Sequence, residues 1–105
     1  MSQWPKAARA GQIANRRCTV VALNGADAAA CNPDGGHFAL EDLCTHLGRD
    51  LSGGWLEGDR AVCPWHMAKF SIRTGTALEA PAYAGVHTFP VRIRDGIIGV
   101  CDDRE

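Results

Sequence analysis

The chain has 105 residues, 46% of them hydrophobic and 22% charged, and a formal net charge of -1. This length suits one domain with a small core, and the lack of an apolar run of roughly 18 residues and of a basic patch argues against membrane insertion and against nucleic acid as a partner. Five cysteines, an odd number, and an N-terminus without the apolar segment of a secretory signal indicate a reducing cytoplasm rather than a disulfide-linked secreted protein.

Short strands separated by turns are predicted along the first half of the chain. Residues 1–17 are polar and alanine-rich, and we expect a partly ordered tail there. Cys18 to Leu23 is β-branched and apolar, and Asn24-Gly25 after it is a strong hairpin signal. A return strand is expected from Asp27 to Cys31 and, after a turn-rich segment, a further strand from His37 to Leu40, which together form an antiparallel meander.

The second half of the chain continues this alternation of turns and short strands. Residues 52–59 are turn-rich, and Asp95-Gly96 closes a hairpin. Strands are predicted at residues 60–62, 69–73, 86–94 and 97–100. No segment keeps a helical period over ten residues, so we predict an all-β architecture of short antiparallel strands in a single domain, residues 1–105.

Two half-sites for a metal lie between these strands. Cys44-Thr45-His46 is separated by sixteen residues from Cys63-Pro64-Trp65-His66, so each half-site offers one thiolate and one imidazole. One zinc ion bound by all four side chains is an alternative, but zinc modules usually pair like ligands on each knuckle. A cysteine and a histidine on each loop suit a two-iron cluster with both cysteines on one iron and both histidines on the other, which is the ligation of a Rieske [2Fe-2S] centre.

The segments around the half-sites resemble those of the soluble Rieske ferredoxins that serve multicomponent aromatic-ring dioxygenases. The resemblance covers roughly residues 18–101 and includes Gly36–Leu43, Leu51–Gly54, Phe70–Gly75, Ala80–Ala82 and Phe89–Ile93. It implies a Rieske fold, in which antiparallel strands form stacked small sheets and a cluster-binding subdomain, approximately residues 42–83, is built from two loops. It also implies one [2Fe-2S] cluster, with Cys44 and Cys63 on the buried iron and His46 and His66 on the outer iron.

The same resemblance implies a one-electron carrier rather than an enzyme, without catalytic residues. It would accept an electron from a flavin-containing ferredoxin reductase and pass it to a terminal oxygenase of aromatic hydrocarbon catabolism. The alternative is a small Rieske subunit of a nitrite-reductase-like or other redox complex. We expect a monomer that meets its partners only transiently.

Four residues beside the half-sites predict a low reduction potential. Arg49 and Trp65 stand where the respiratory members of the family carry two further cysteines. Ala68 and Phe70 stand where those proteins place a serine and a tyrosine that donate hydrogen bonds to cluster sulfurs. Fewer such hydrogen bonds stabilise the reduced state less, so we expect a potential near the bottom of the Rieske range of about -150 to +300 mV.

Several other residues carry weaker expectations. Met67 replaces a glycine that is common in the family, and the resemblance implies that Pro81 lies in a loop covering the cluster. Cys18, Cys31 and Cys101 lie in apolar surroundings and are expected to be buried, inert thiols. The two histidines outside the half-sites are expected to be ordinary surface or strand-end residues. They are His37 and His87.

Overall fold

The computed structural model describes residues 4–23, 27–42, 54–63, 68–79 and 85–103. Within these ranges the regular structure consists of eleven strands, without a helix, which confirms the predicted all-β class. The described part of the chain therefore offers no long apolar helix that could cross a membrane. The strands are β1 (Lys6–Arg9), β2 (Arg17–Ala22), β3 (Asp27–Asn32), β4 (Phe38–Glu41), β5 (Trp55–Glu57), β6 (Arg60–Val62), β7 (Lys69–Ser71), β8 (Ala77–Glu79), β9 (Thr88–Phe89), β10 (Val91–Arg94) and β11 (Ile97–Val100).

The strands pair antiparallel in three small sheets. The first sheet has the order β1-β11-β10, the second β2-β3-β4-β9 and the third β5-β6-β7-β8. The third sheet is a meander of strands that follow one another in the chain, whereas β1 pairs with β11 and β4 with β9 over long sequence separations. The third sheet, residues 55–79, lies within the range predicted for the cluster-binding subdomain.

The central strands of the second sheet, β3 and β4, are buried on both faces because two separate cores lie against them. Successive residues of a strand face opposite sides of its sheet, so Ala28 and Ala30 lie in one core while Ala29 and Cys31 lie in the other. The first core, which we call the far core, contains Ile13, Val21, Ala28, Ala30, Ala39, Phe89, Ile98 and Val100. The second, the site core, contains Ala29, Cys31, Leu40, Ala61, Cys63, Ala68, Phe70, Ile72 and Val86.

A close approach between two glycines joins the turn after β7 to the segment before β9. Gly75 has a left-handed backbone with φ of 76°, and a Cβ atom there would overlap the carbonyl oxygen of Val86. On the other side, a Cβ on Gly85 would lie 2.6 Å from the carbonyl oxygen of Gly75. The Val86 N–H donates to that same oxygen at 2.8 Å. The chain is therefore fixed at the point where it leaves residues 80–84.

Three strands were not expected from the sequence, and one expected strand is divided. The prediction of a loose tail is wrong for Lys6–Arg9, because this alanine-rich segment gains its hydrogen bonds from β11. The strands β5 and β8 have only three residues each, too short to show a clear alternation. The strand predicted at 86–94 is interrupted at Pro90, which lacks an N–H, and there the chain passes from the second sheet to the first.

Candidate metal centre

Cys63 is the one predicted ligand within the described residues. It follows β6 directly, and its side chain is fully buried in the site core. Its N–H donates to the carbonyl oxygen of Ala68 at 2.8 Å, which closes the connection between β6 and β7. The structure thus places a buried thiol at the base of the second half-site, as the inner iron of the predicted cluster requires.

The other three predicted ligands, Cys44, His46 and His66, lie outside the described residues. The same is true of Arg49, Trp65, Met67 and Pro81, so their predicted roles stay predictions. The structure does describe the strand ends from which their segments leave.

One row of residues across the third sheet borders all the segments that carry the predicted site. Trp55 is the partner of Val62, Val62 of Lys69, and Lys69 of Glu79 in the strand register. Residues 43–53 are followed by Gly54 and then by Trp55, the first residue of the row. Residues 64–67 lie between Cys63 and Ala68, which are the chain neighbours of Val62 and Lys69. Residues 80–84 follow Glu79 directly. The register therefore places the described residues that adjoin these three segments at one edge of the third sheet.

The entry to the first half-site is tied to the exit of the proline-bearing segment. The N–H of Asp42 donates to the carbonyl oxygen of Asp27 at 3.0 Å, and Asp42 is buried. Glu41 donates its N–H to the carbonyl oxygen of His87 at 2.8 Å, and its Oε1 accepts the N–H of His87 at 2.9 Å. These hydrogen bonds thus join the residues directly before the first half-site to β3 and to His87, which lies shortly after the proline-bearing segment.

A carboxylate at the other end of β5 forms an ion pair with Lys69. Glu57 Oε1 lies 3.2 Å from Lys69 Nζ, and Glu57 Oε2 accepts a hydrogen bond from Trp55 Nε1 at 3.1 Å. The Trp55 hydrogen bond, and after it Lys69, lower the pKa of the Glu57 carboxyl below its ordinary value. Glu57 is therefore ionised at neutral pH and neutralises a largely buried lysine.

The buried surroundings of Cys63 lack hydroxyl groups at the two positions singled out above. Ala68 and Phe70 are both fully buried in the site core with Cys63. Phe70 pairs with Ala61 in the strand register, and Ala68 contributes its backbone oxygen to Cys63. Cys63 is thus a buried thiol at a strand end, and a histidine follows it after two residues. Such a thiol fits a ligand of an iron–sulfur cluster.

Sequence reasoning missed one bond. Cys18 and Cys31 face each other in β2 and β3 with a Cα–Cα distance of 4.0 Å, and their sulfurs form a disulfide. The expectation of inert thiols is therefore wrong for this pair, whereas Cys101 is a buried free thiol as expected. The signal was present in the sequence, since equal counts outward from the predicted turn at Asn24-Gly25 place Cys18 opposite Cys31.

The two remaining histidines lie directly before strands, as expected. His37 precedes β4 and is partly buried, with no hydrogen-bond partner for its Nε2 among the described residues. His87 precedes β9, and its Nε2 lies 2.7 Å from Asp103 Oδ1. Its ring also packs edge-on against Phe89 with the ring centroids 4.9 Å apart.

Comparison with known families assigns the chain to a class. Residues 3–90 match the family described as Rieske [2Fe-2S] domain. The chain belongs to the Rieske [2Fe-2S] domain family, and its cofactor is one [2Fe-2S] cluster. The alternative of a single zinc ion is thereby set aside.

Three individual proteins that are similar to the chain have redox roles in their names. The chain is 33% identical over 93 residues to the ferredoxin component of the naphthalene 1,2-dioxygenase system of Pseudomonas putida, which covers 89% of each sequence. A chain in the solved complex of reduced oxygenase and oxidized ferredoxin of carbazole 1,9a-dioxygenase is 29% identical, with a TM-score of 0.91 over 97% of this chain and 95% of that one. A putative NADH-dependent nitrite reductase small subunit from Mycobacterium tuberculosis shares the fold, with a TM-score of 0.87 and 22% identity over 100% of this chain and 99% of that one.

Proposed function

We propose that this protein is a one-electron carrier that accepts an electron from a flavin-containing reductase and delivers it to a terminal Rieske oxygenase. The observation that carries the proposal is the similarity to a ferredoxin component of a dioxygenase system over 89% of both sequences. The similarity to a chain of a ferredoxin–oxygenase complex supports an oxygenase as the electron acceptor. In this role the protein shuttles between partners and turns over no substrate.

We assign the cluster ligands as Cys44 and Cys63 on the inner iron and His46 and His66 on the outer iron. When bound, such a cluster takes up and releases one electron, and neutral imidazoles in place of two thiolates raise its potential above that of all-cysteine clusters. The chain itself contributes a dry site core around Cys63. It also contributes the edge of the third sheet, where Cys63 follows β6, and these features support the assignment.

The potential of the carrier is proposed to be low within the Rieske class. Support comes from Ala68 and Phe70, which are fully buried beside Cys63 and have no hydroxyl to donate to a cluster sulfur. The Phe70→Tyr variant adds one hydroxyl and is expected to raise the midpoint potential in a redox titration. Phe89→Tyr places the same hydroxyl in the far core and serves as the matched control. An unchanged potential in Phe70→Tyr, or a wild-type potential well above zero, would contradict this part of the proposal.

Electron transfer is tested with purified components. The reduced protein, prepared with NADH and the flavoprotein reductase of a naphthalene-type dioxygenase system, is mixed with oxidised terminal oxygenase in a stopped-flow instrument. Reoxidation that depends on the oxygenase concentration supports the proposed role. Stable copurification with a large catalytic subunit, together with no transfer to any oxygenase tested, would favour the alternative of a redox-complex subunit.

The proposed partners imply a transient encounter. Redox complexes usually bury less than about 1,200 Å² of total surface, which permits rapid exchange between reductase and oxygenase. We accordingly propose a monomer in the cytoplasm. Sedimentation equilibrium gives the mass of the protein alone, which tests the monomer. With the oxygenase present it gives the affinity of the complex, which tests the transient encounter.

A further inference from the structure

A cavity of about 110 Å³ lies between the second and third sheets and leads to the disulfide. On one side Cys18 and Cys31 of the second sheet line it, and on the other side Gly54, Trp55 and Leu56 at the start of the third sheet. The electron-carrier role does not use this cavity. A disulfide that lines a cavity can be reached by a small thiol without unfolding of the protein.

The two sulfurs of the disulfide differ in their access. Cys31 is 1% exposed and belongs to the site core, whereas Cys18 is only partly buried and packs at the margin of that core. An incoming thiolate therefore meets the sulfur of Cys18 first. Cys31 Sγ lies 3.8 Å from the carbonyl oxygen of Ala29, which can accept a hydrogen bond from the thiol of Cys31 once the disulfide is open.

Two arginines are the charged residues among the described lining of the cavity, and we call their side of it the mouth. Arg16 and Arg17 line it, and both are exposed. The described lining contains no acidic residue, and the neighbouring Glu57 is already neutralised by Lys69. Arg16 donates its N–H to the carbonyl oxygen of Asn32 at 2.6 Å, which ties this residue to the strand that carries Cys31. Such a mouth favours anionic over neutral thiols.

We propose that Cys18–Cys31 is a reversible disulfide that exchanges with a small anionic thiol of the glutathione class through the cavity, with Cys18 as the site of mixed-disulfide formation. The thiolate attacks Cys18 Sγ, the Cys18–Cys31 bond breaks, and Cys31 leaves as a thiolate that takes a proton from water. A second thiolate attacks the external sulfur of the mixed disulfide and releases Cys18 as a thiolate. Two thiols are oxidised to one external disulfide, and two electrons reduce the protein disulfide.

This inference depends on the proposed cytoplasmic location only for the identity of the natural thiol. Disulfides in reducing compartments are usually transient or redox-sensing, which fits a bond that is accessible to small thiols. The exchange chemistry is independent of electron transfer to an oxygenase. Failure of the electron-carrier proposal would therefore be seen in the stopped-flow measurement, and failure of the exchange proposal in the reaction with glutathione.

The test uses the cluster-loaded protein in buffers of reduced and oxidised glutathione, followed by acid quenching and mass spectrometry of the peptides. We expect the oxidised and reduced pair to interconvert while the visible absorbance of the cluster persists, with the mixed disulfide on Cys18. The proposal is overturned if both cysteines are alkylated in protein never exposed to reductant, if the disulfide opens only after unfolding, or if the adduct forms on Cys31.

Variants test the direction of attack and the charge at the mouth. Cys31→Ala is expected to accumulate glutathione on Cys18, while Cys101→Ala behaves as wild type. The double variant Arg16→Gln, Arg17→Gln is expected to slow exchange with glutathione about threefold or more while leaving exchange with neutral 2-mercaptoethanol unchanged. Arg94→Gln, an exposed arginine on the first sheet, is the control. Equal slowing with both thiols, or with neither, would contradict entry through the arginine-lined mouth.

Discussion

The site core and the far core lie on opposite faces of the same sheet, yet they serve different purposes. Both contain one buried phenylalanine, Phe70 or Phe89, among small aliphatic residues. The site core also contains Cys31, and it contains Cys63 and Ala68, which flank residues 64–67. A change in the far core should therefore affect stability alone, whereas a change in the site core should affect stability and the metal centre together.

The largest expected effect is the loss of a ligand from the site core. Cys63→Ala removes the buried thiolate assigned to the inner iron, so we expect no visible absorbance and no rhombic EPR signal after reduction. Cys101→Ala removes a buried thiol remote from the half-sites and should keep both signals. A normal Rieske spectrum in Cys63→Ala would refute the assignment of this ligand.

A pair of cavity-forming variants tests the comparison directly. Phe70→Ala and Phe89→Ala each remove a buried ring, and each should lower the free energy of unfolding by about 3–5 kcal/mol. Only Phe70→Ala is expected to accelerate cluster loss to an iron chelator under native conditions, because Phe70 packs in the same core as Cys63. Urea unfolding and the decay of visible absorbance measure the two effects. Equal acceleration in both variants would show that the cores are not separate.

Replacing one of two glycines with alanine is expected to lower stability by a smaller amount. Gly75 and Gly96 both have positive φ, 76° and 73°, so alanine should cost about 1–2 kcal/mol of conformational strain at each. A Cβ on Gly96 would meet no atom within 4 Å, but one on Gly75 would overlap the Val86 carbonyl oxygen. We expect Gly75→Ala to be clearly the more destabilising variant in thermal unfolding and to lose its cluster faster. Equal melting temperatures would indicate that the close approach at Gly75 is unimportant.

The smallest expected effect is the pH dependence at Glu57. Its folded pKa lies below the ordinary value of 4.5 because of Trp55 and then Lys69, so its contribution to stability is present above that value and is lost as the pH falls through the lower folded pKa. Between about pH 6 and about pH 3, wild type should therefore lose slightly more stability than Glu57→Gln. Urea midpoints measure the difference, and a steeper loss in the variant would reverse the assigned sign.

Local signals in the sequence were strong enough to predict most of the strands. The β-branched run at Cys18 to Leu23 and the Asp95-Gly96 turn correspond to β2 and to the β10–β11 hairpin. The strand β1 was missed because its alanines have little strand preference and their hydrogen-bond partners lie in β11. The Cys18–Cys31 disulfide was missed because an odd number of cysteines argues against a disulfide framework but does not exclude one bond between paired strands.

The sequence by itself predicted the class of the protein, since a cysteine and a histidine on each of two loops suit a two-iron cluster and the segments around them resemble the Rieske ferredoxins. It also determined which residues lack a hydroxyl beside the second half-site. The tertiary structure decided that one strand-register row borders every site segment and that Cys31 and Cys63 share a core. The row depends on the register of four successive strands. The shared core depends on the stacking of the second sheet against the third, which brings together residues far apart in the chain and so leaves no local pattern to read.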